Sequence, residues 1–213
     1  MKQKLLAVLS ALMLAGCSLV GERSGYEAPA YEVVERLGDT VEVRRYGPRL
    51  VADAAVPEAE AKGGANRAFR LLFAYISGEN RAGDEVAMTV PVAMASGKGE
   101  AIAMTVPVEQ AAPAARGTRM RFFFPARYTR ETAPQPLDER VTIAEVPGET
   151  VMVLRYSGFN GPEKKARQAE ELGRLIAGSR WQPAGPPVFL AYDPPWTLPL
   201  FRRHEVLRPV VPR

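Results

Sequence analysis

The chain has 213 residues, enough for one sizeable domain or two small ones, and its 46% hydrophobic and 24% charged composition is that of an ordinary globular protein. Of its 28 basic residues, Lys2 and Lys4 sit in a segment expected to be removed, and the remaining 26 against 24 acidic residues make no electrostatic footprint for a nucleic acid. One cysteine and one histidine exclude an intramolecular disulfide and a four-ligand Cys/His zinc site, so the fold must stand on its apolar core.

Lys2 and Lys4 precede an apolar run over residues 5–14, and the small residues Ala15 and Gly16 precede Cys17. A charged start, a short apolar stretch and small residues at the cut describe a secretory signal peptide over 1–16, too short to span a bilayer. Leu14-Ala15-Gly16-Cys17 also resembles the bacterial lipoprotein signal, in which the cysteine is acylated with palmitate-type chains and becomes the new N-terminus. Ser18 after the cysteine resembles lipoproteins sorted to the outer membrane of a diderm cell. The resemblance implies an envelope protein held at the periplasmic face of the outer membrane through Cys17. Acyl chains of this kind anchor stably without a transmembrane helix. Residues 17–30, with Gly21, Gly25 and Pro29 and no periodicity, read as a polar tether.

The globular chain, residues 31–208, opens with short β-rich runs over 31–34 and 41–46 around the turn Gly38-Asp39, then a strand over 50–56. After Lys62-Gly63-Gly64, the apolar residues Ala65, Phe69, Leu72, Phe73 and Ile76 fall three and four apart, which predicts one face of a helix closed by Ser77-Gly78. A doubled pentapeptide follows: Met88-Thr89-Val90-Pro91-Val92 and Met104-Thr105-Val106-Pro107-Val108. Each copy alternates apolar and other residues with period two, and the break over 95–100 is turn chemistry, so the two copies predict a β-hairpin. A proline inside each strand has no N–H for the ladder and calls for an edge or a bulge.

A strand over 119–124 ends at Pro125. Runs over 141–145 and 151–156 around Pro147-Gly148 then mirror the opening hairpin, with Val41, Val43, Arg45 and Tyr46 matching Val151, Val153, Arg155 and Tyr156 at one offset. A second helix starts at Pro162 with Glu163 beside it and ends at Gly178. Ala169, Leu172, Leu175 and Ile176 form its apolar face, and Glu163 with Arg167 and Glu170 with Arg174 are spaced for ion pairs on the wet side. Strands over 188–192 and 203–207 flank a loop over 193–199. The layout of strands and one helix, written twice, predicts an α+β domain with internal pseudo-twofold symmetry and antiparallel sheets.

Several of these residues carry a family resemblance. The two copies of Ala-Met-Thr-Val-Pro-Val, the dipeptide Arg45-Tyr46, the stretch Tyr192-Asp193-Pro194-Pro195-Trp196-Thr197-Leu198-Pro199, and Arg202-Arg203-x-Glu205-Val206 resemble the SOUL haem-binding protein family, in the family's order, across nearly all of 31–207. The resemblance implies a distorted antiparallel β-barrel of two pseudo-symmetric halves, each with a flanking α-helix. It also implies non-covalent binding of haem or another tetrapyrrole. This chain has His204 where family members often carry asparagine.

A porphyrin needs apolar faces, cations for its propionates and, optionally, an axial ligand to iron. Phe69, Phe73, Met88, Met104, Tyr192 and Trp196 are candidates for the faces, although Phe69, Phe73 and the two methionines have the side chains that most often fill cores. Arg202 and Arg203, or Arg67 and Arg70 on the first helix, are candidates for the propionates. His204, the lone imidazole, is the candidate axial ligand, and strand alternation leaves it equally able to face solvent. The expected cleft lies between the first helix and the closing loop. An enzyme is not expected. Gly97-Lys98-Gly99 lacks the third glycine and the following helix of a nucleotide loop, and the chain has no Gly-x-Ser-x-Gly elbow. The reading is storage, buffering or delivery of a tetrapyrrole. The alternative is an envelope module of the same fold that binds another apolar ligand or a protein.

Overall fold

The computed structural model describes residues 27–57, 63–81, 107–111, 117–193 and 196–213. The amino-terminal segment with Cys17, and the doubled pentapeptide up to Val106 with Met88 and Met104, lie outside the described residues. The chain divides into two compact units interleaved along the sequence. A central unit holds Glu27–Tyr31 and Tyr46–Glu149, and a C-terminal unit holds Glu32–Arg45 and Thr150–Arg213.

The central unit is built around β3 (Arg49–Pro57), a strand buried without interruption from Val51 to Ala54. It pairs antiparallel with β6 (Gly117–Phe123) on one side and β8 (Val141–Val146) on the other. β5 (Val108–Ala111) continues the sheet beyond β6. The short strands β4 (Asn80–Arg81) and β7 (Gln135–Pro136) pair with each other. One face of β3 carries Ala52, Ala54 and Val56, residues small enough for helix α1 (Gly64–Ile76) to lie close. Ala68, Leu72, Tyr75 and Ile76 of α1 meet them, together with Met120, Phe122 and Val141. Gly64 is required at the contact, since a Cβ there would fall 2.8 Å from the Thr118 hydroxyl. On the other face of the sheet Asp53, Arg121 and Glu109 share one rung of three strands. The guanidinium of Arg121 donates to both carboxylates at 2.9 Å. Burial pushes the Glu109 carboxyl above its ordinary range despite Arg121.

The C-terminal unit follows the same plan. Its strands run in the order β1 (Tyr31–Arg36), β2 (Val41–Tyr46), β9 (Glu149–Tyr156), β12 (His204–Pro212), β11 (Val188–Ala191), and β10 (Trp181–Pro183) pairs with the far end of β12. Helix α2 (Pro162–Ala177) has proline in its first turn, Glu163 beside the positive helix end and Arg174 near the negative one. Leu172 and Ile176 pack into a core of Val41, Val43, Met152, Leu154, Trp181, Val206 and Val210. Each of these two helix side chains contributes about 2 kcal/mol by leaving water.

Both units are thus α+β, with antiparallel sheets and one helix apiece, and within neither do the described strands close into a ring. Several expectations change in detail. The runs over 41–46 and 151–156, matched in sequence, lie in neighbouring strands of one sheet, β2 and β9. In each unit one strand leads into the helix, β3 into α1 and β9 into α2. On α2, Arg174 pairs with Glu171 at 2.7 Å instead of Glu170. On α1 the buried stripe runs through Ala68, Leu72, Tyr75 and Ile76, so Phe69 and Phe73 lie off the core, 39% and 46% exposed.

Candidate functional site

The apolar surface of the central unit begins with α1. Residues four apart on a helix stack one above the other, and the rings of Phe69 and Phe73 lie 5.9 Å apart and nearly parallel, at 15°. Phe122 from β6 meets Phe69 edge-on at 5.6 Å and fixes its orientation from below. Arg70 is exposed one residue along the helix, and Arg67 is half-buried. The arrangement is a partly exposed pair of stacked aromatic rings with arginines on the same helix, an apolar surface that can meet a large ring bearing carboxylates.

The C-terminal unit holds a buried charge cluster. Glu205 on β12 has no exposed surface. Arg44 of β2 grips it with two parallel hydrogen bonds, Nη1 to Oε2 at 2.8 Å and Nη2 to Oε1 at 3.1 Å. The Tyr192 hydroxyl donates to Oε2 at 2.6 Å, and Arg203 donates to Oε1 from Nη2 at 2.6 Å and from Nε at 3.1 Å. Arg44 also donates from Nε to Glu42 at 2.8 Å. Burial pushes the Glu205 carboxyl up, but the hydrogen bonds and charge of Arg44, the charge of Arg203 and the Tyr192 bond together hold it below its ordinary range. A paired carboxylate of this kind is structural; it offers no lone pair to a substrate.

His204 lies next to this cluster and is 4% exposed. Its Nε2 is 3.2 Å from the Gly158 carbonyl, which can only accept, so Nε2 carries the proton. Its Nδ1 is 3.4 Å from Asn160 Nδ2 and accepts from it. Asn160 is oriented in turn by the Tyr156 hydroxyl, which donates to its Oδ1 at 2.8 Å. Burial, followed by the smaller effect of Arg202, holds the imidazole below its ordinary 6.5 although the Gly158 bond opposes.

The sequence matches the profile described as SOUL heme-binding protein over residues 26–209. The chain belongs to the SOUL haem-binding family. No curated protein matches this SOUL-family chain. Among solved structures it is similar to an uncharacterized conserved protein from Listeria innocua, at 13% identity and TM-score 0.53, over 81% of this chain and 92% of that one. A protein from Listeria innocua described as a hydrolase matches at 10% identity and TM-score 0.51 with the same coverage. The C-terminal domain of EcmrR matches at 10% identity and TM-score 0.50, over 83% of this chain and all of that one. At such identity the likeness is one of fold.

Within this SOUL-family fold the candidate residues separate. Phe69, Phe73, Arg67 and Arg70 share one helix of the central unit. Tyr192, Arg202, Arg203 and His204 share the C-terminal unit, and each is already engaged. The Arg203 guanidinium lies 4.3 Å over the Tyr192 ring, which makes both poor faces for a ligand. Arg202 donates from Nε to the Thr197 carbonyl at 2.7 Å. His204 could reach an iron atom only by giving up one of its two hydrogen bonds. Trp196 is 64% exposed in the closing loop. Among the described residues no group of three or more His, Cys, Asp or Glu is placed to hold a metal ion. Sequence reasoning missed Arg44 and Glu205 as a unit. The available signal was a glutamate directly before the apolar pair Val206-Leu207 in a strand, which when buried demands a cation from elsewhere.

Proposed function

We propose that this SOUL-family chain is a lipid-anchored envelope protein that binds haem or a related tetrapyrrole non-covalently and serves its storage, buffering or delivery. The observation that carries the reading is the stacked, solvent-facing Phe69–Phe73 pair on α1. The two rings rest on the core through Phe122 but keep 39% and 46% of their surface in water, and a macrocycle laid against them buries apolar surface on both partners. Arg67 and Arg70 are placed on the same helix to meet propionates, and the family's own description supports a tetrapyrrole. The fit is to the ring and its carboxylates. Haem, when bound, supplies an iron centre; the side chains here hold the macrocycle, and no catalytic role is assigned to them. The signal and acylation motif over residues 14–17 supports the envelope location.

One observation favours a second reading. The residues gathered on α1, Phe69, Phe73, Arg67 and Arg70, include no ligand to iron, so an iron-free apolar ligand or a protein partner fits them as well as haem does. The test is titration of the full chain in mild detergent, against a detergent blank, with hemin at its Soret band and with metal-free protoporphyrin. Saturable one-to-one binding of both is expected. Replacing Phe69 and Phe73 together by alanine should weaken it about five- to thirtyfold, the effect of losing about one to two kcal/mol of apolar contact. His204→Gln should leave it unchanged. No saturable binding of either compound removes the tetrapyrrole and leaves the second reading.

A further inference from the structure

The C-terminal unit presents a second apolar surface of different shape. Phe159 is 75% exposed and Leu200 82%, and Trp196, Leu198 and Phe201 are exposed with them. Four of these five residues fall within six positions of the closing loop, and a backbone bond from Gly158 N–H to the Pro199 carbonyl, 2.9 Å, brings the Phe159 loop alongside. The projection is ordered at its base. Phe201 N–H donates to the Leu198 carbonyl and Arg202 N–H to that of Pro199, closing a 3₁₀ turn over Pro199–Phe201. Arg202 Nε ties back to the Thr197 carbonyl, and His204 ties to Gly158. Gly158 itself has φ +100°, a conformation open to glycine, which turns Phe159 outward.

The surroundings of this projection are cationic. Lys164 and Lys165 follow Phe159 within the first turn of α2, and Arg202 and Lys165 both lie near enough to bear on the charge of His204. Of the nearby acids, Asp193 accepts the Arg203 backbone N–H at 2.6 Å, and Glu163 sits at the start of α2. Large exposed apolar side chains on two joined loops, including a tryptophan, with lysine and arginine nearby, match the chemistry of a bilayer interface with anionic headgroups. A protein groove would instead have to envelop all five side chains. We infer that the paired loops around Phe159 and residues 196–201 are a membrane-contact element that inserts these side chains among anionic phospholipids. The inference rests on neither the tetrapyrrole reading nor the acylation motif.

Tryptophan fluorescence reads this loop selectively, because the chain has two tryptophans and Trp181 is buried in the core. The full chain is reconstituted, without tetrapyrrole, into phosphatidylethanolamine/phosphatidylglycerol vesicles with and without bromine-labelled acyl chains. The Trp196 signal is taken as the difference from Trp196→Phe. The expected result is a blue-shifted Trp196 emission quenched by the brominated lipid, and weaker quenching when phosphatidylcholine replaces phosphatidylglycerol. Phe159→Ser with Leu200→Ser, both at solvent-facing positions, should lower the docked-to-undocked ratio of the loop at least about tenfold while the chain stays on the vesicles. Unquenched Trp196 in vesicle-bound protein overturns the proposal and assigns the surface to a protein partner. Equal quenching in both lipids, or quenching that persists in the serine variant, overturns it as well.

Discussion

Glu205 shows how a single buried charge is made tolerable. A carboxylate without exposed surface is costly unless fully paired, and here five hydrogen bonds from Arg44, Arg203 and Tyr192 do so. Glu205→Gln leaves two guanidinium groups facing a neutral amide, and we expect about 3 kcal/mol of lost stability at pH 7, measured by urea unfolding. Its folded-state pKa lies below its unfolded one, so the stability it contributes is fully present above about 4.5 and is lost as pH falls through the depressed value. The difference between wild type and variant should therefore shrink in acid. His204 has the same sign in a different window. Its folded pKa is depressed, so its contribution is present above 6.5 and is lost as pH falls below. As the lone histidine it gives an isolated ring signal by NMR, and its titration midpoint should lie below 6.5. A midpoint at or above that value would contradict the neutral, doubly hydrogen-bonded ring.

At the scale of elements, helix α1 separates packing from display. Leu72 has no exposed surface and Phe73, its neighbour, is nearly half exposed. Leu72→Ala should cost 2–5 kcal/mol, about the range for emptying a well-packed core site. Phe73→Ala should cost under about 1 kcal/mol, because solvent fills the space it leaves. Comparable losses for the two, measured by thermal unfolding, would place Phe73 in the core after all. The apolar spacing of α1 was legible in the sequence, as was its end at Ser77. The assignment of Phe69 to the buried face was not, because a phenylalanine at the rim of an apolar stripe satisfies the helical period equally well on either side.

On the scale of the whole molecule, the chain alternates between its units. It enters the C-terminal unit through β1 and β2, leaves for the central unit through β3 to β8, and returns at β9. Neither unit is a continuous stretch of sequence, so unfolding should be followed by separate probes in each before two-state analysis is applied. The amino terminus gives the prediction that belongs to the whole protein. Cys17→Ala should abolish incorporation of labelled palmitate in a bacterial host. Unchanged labelling would show that Cys17 is not the acylated residue.

Period, composition and turn chemistry by themselves determined most strands and both helices, since these are local properties read over a few residues, while the family came from the resemblance of motifs spread over nearly the whole chain. They also placed the aromatic, basic and imidazole residues among which a ligand site was sought. The tertiary structure decided the rest. That Arg44 meets Glu205 across 161 residues, that β2 neighbours β9, and that both His204 nitrogens are occupied depend on strand order, which no local window records. Exposure is decided the same way. Phe69 and Phe73 differ from Leu72 only in which side of α1 the sheet covers, and the loops of Phe159 and Leu200, far apart in sequence, are joined by one backbone hydrogen bond from Gly158 to Pro199.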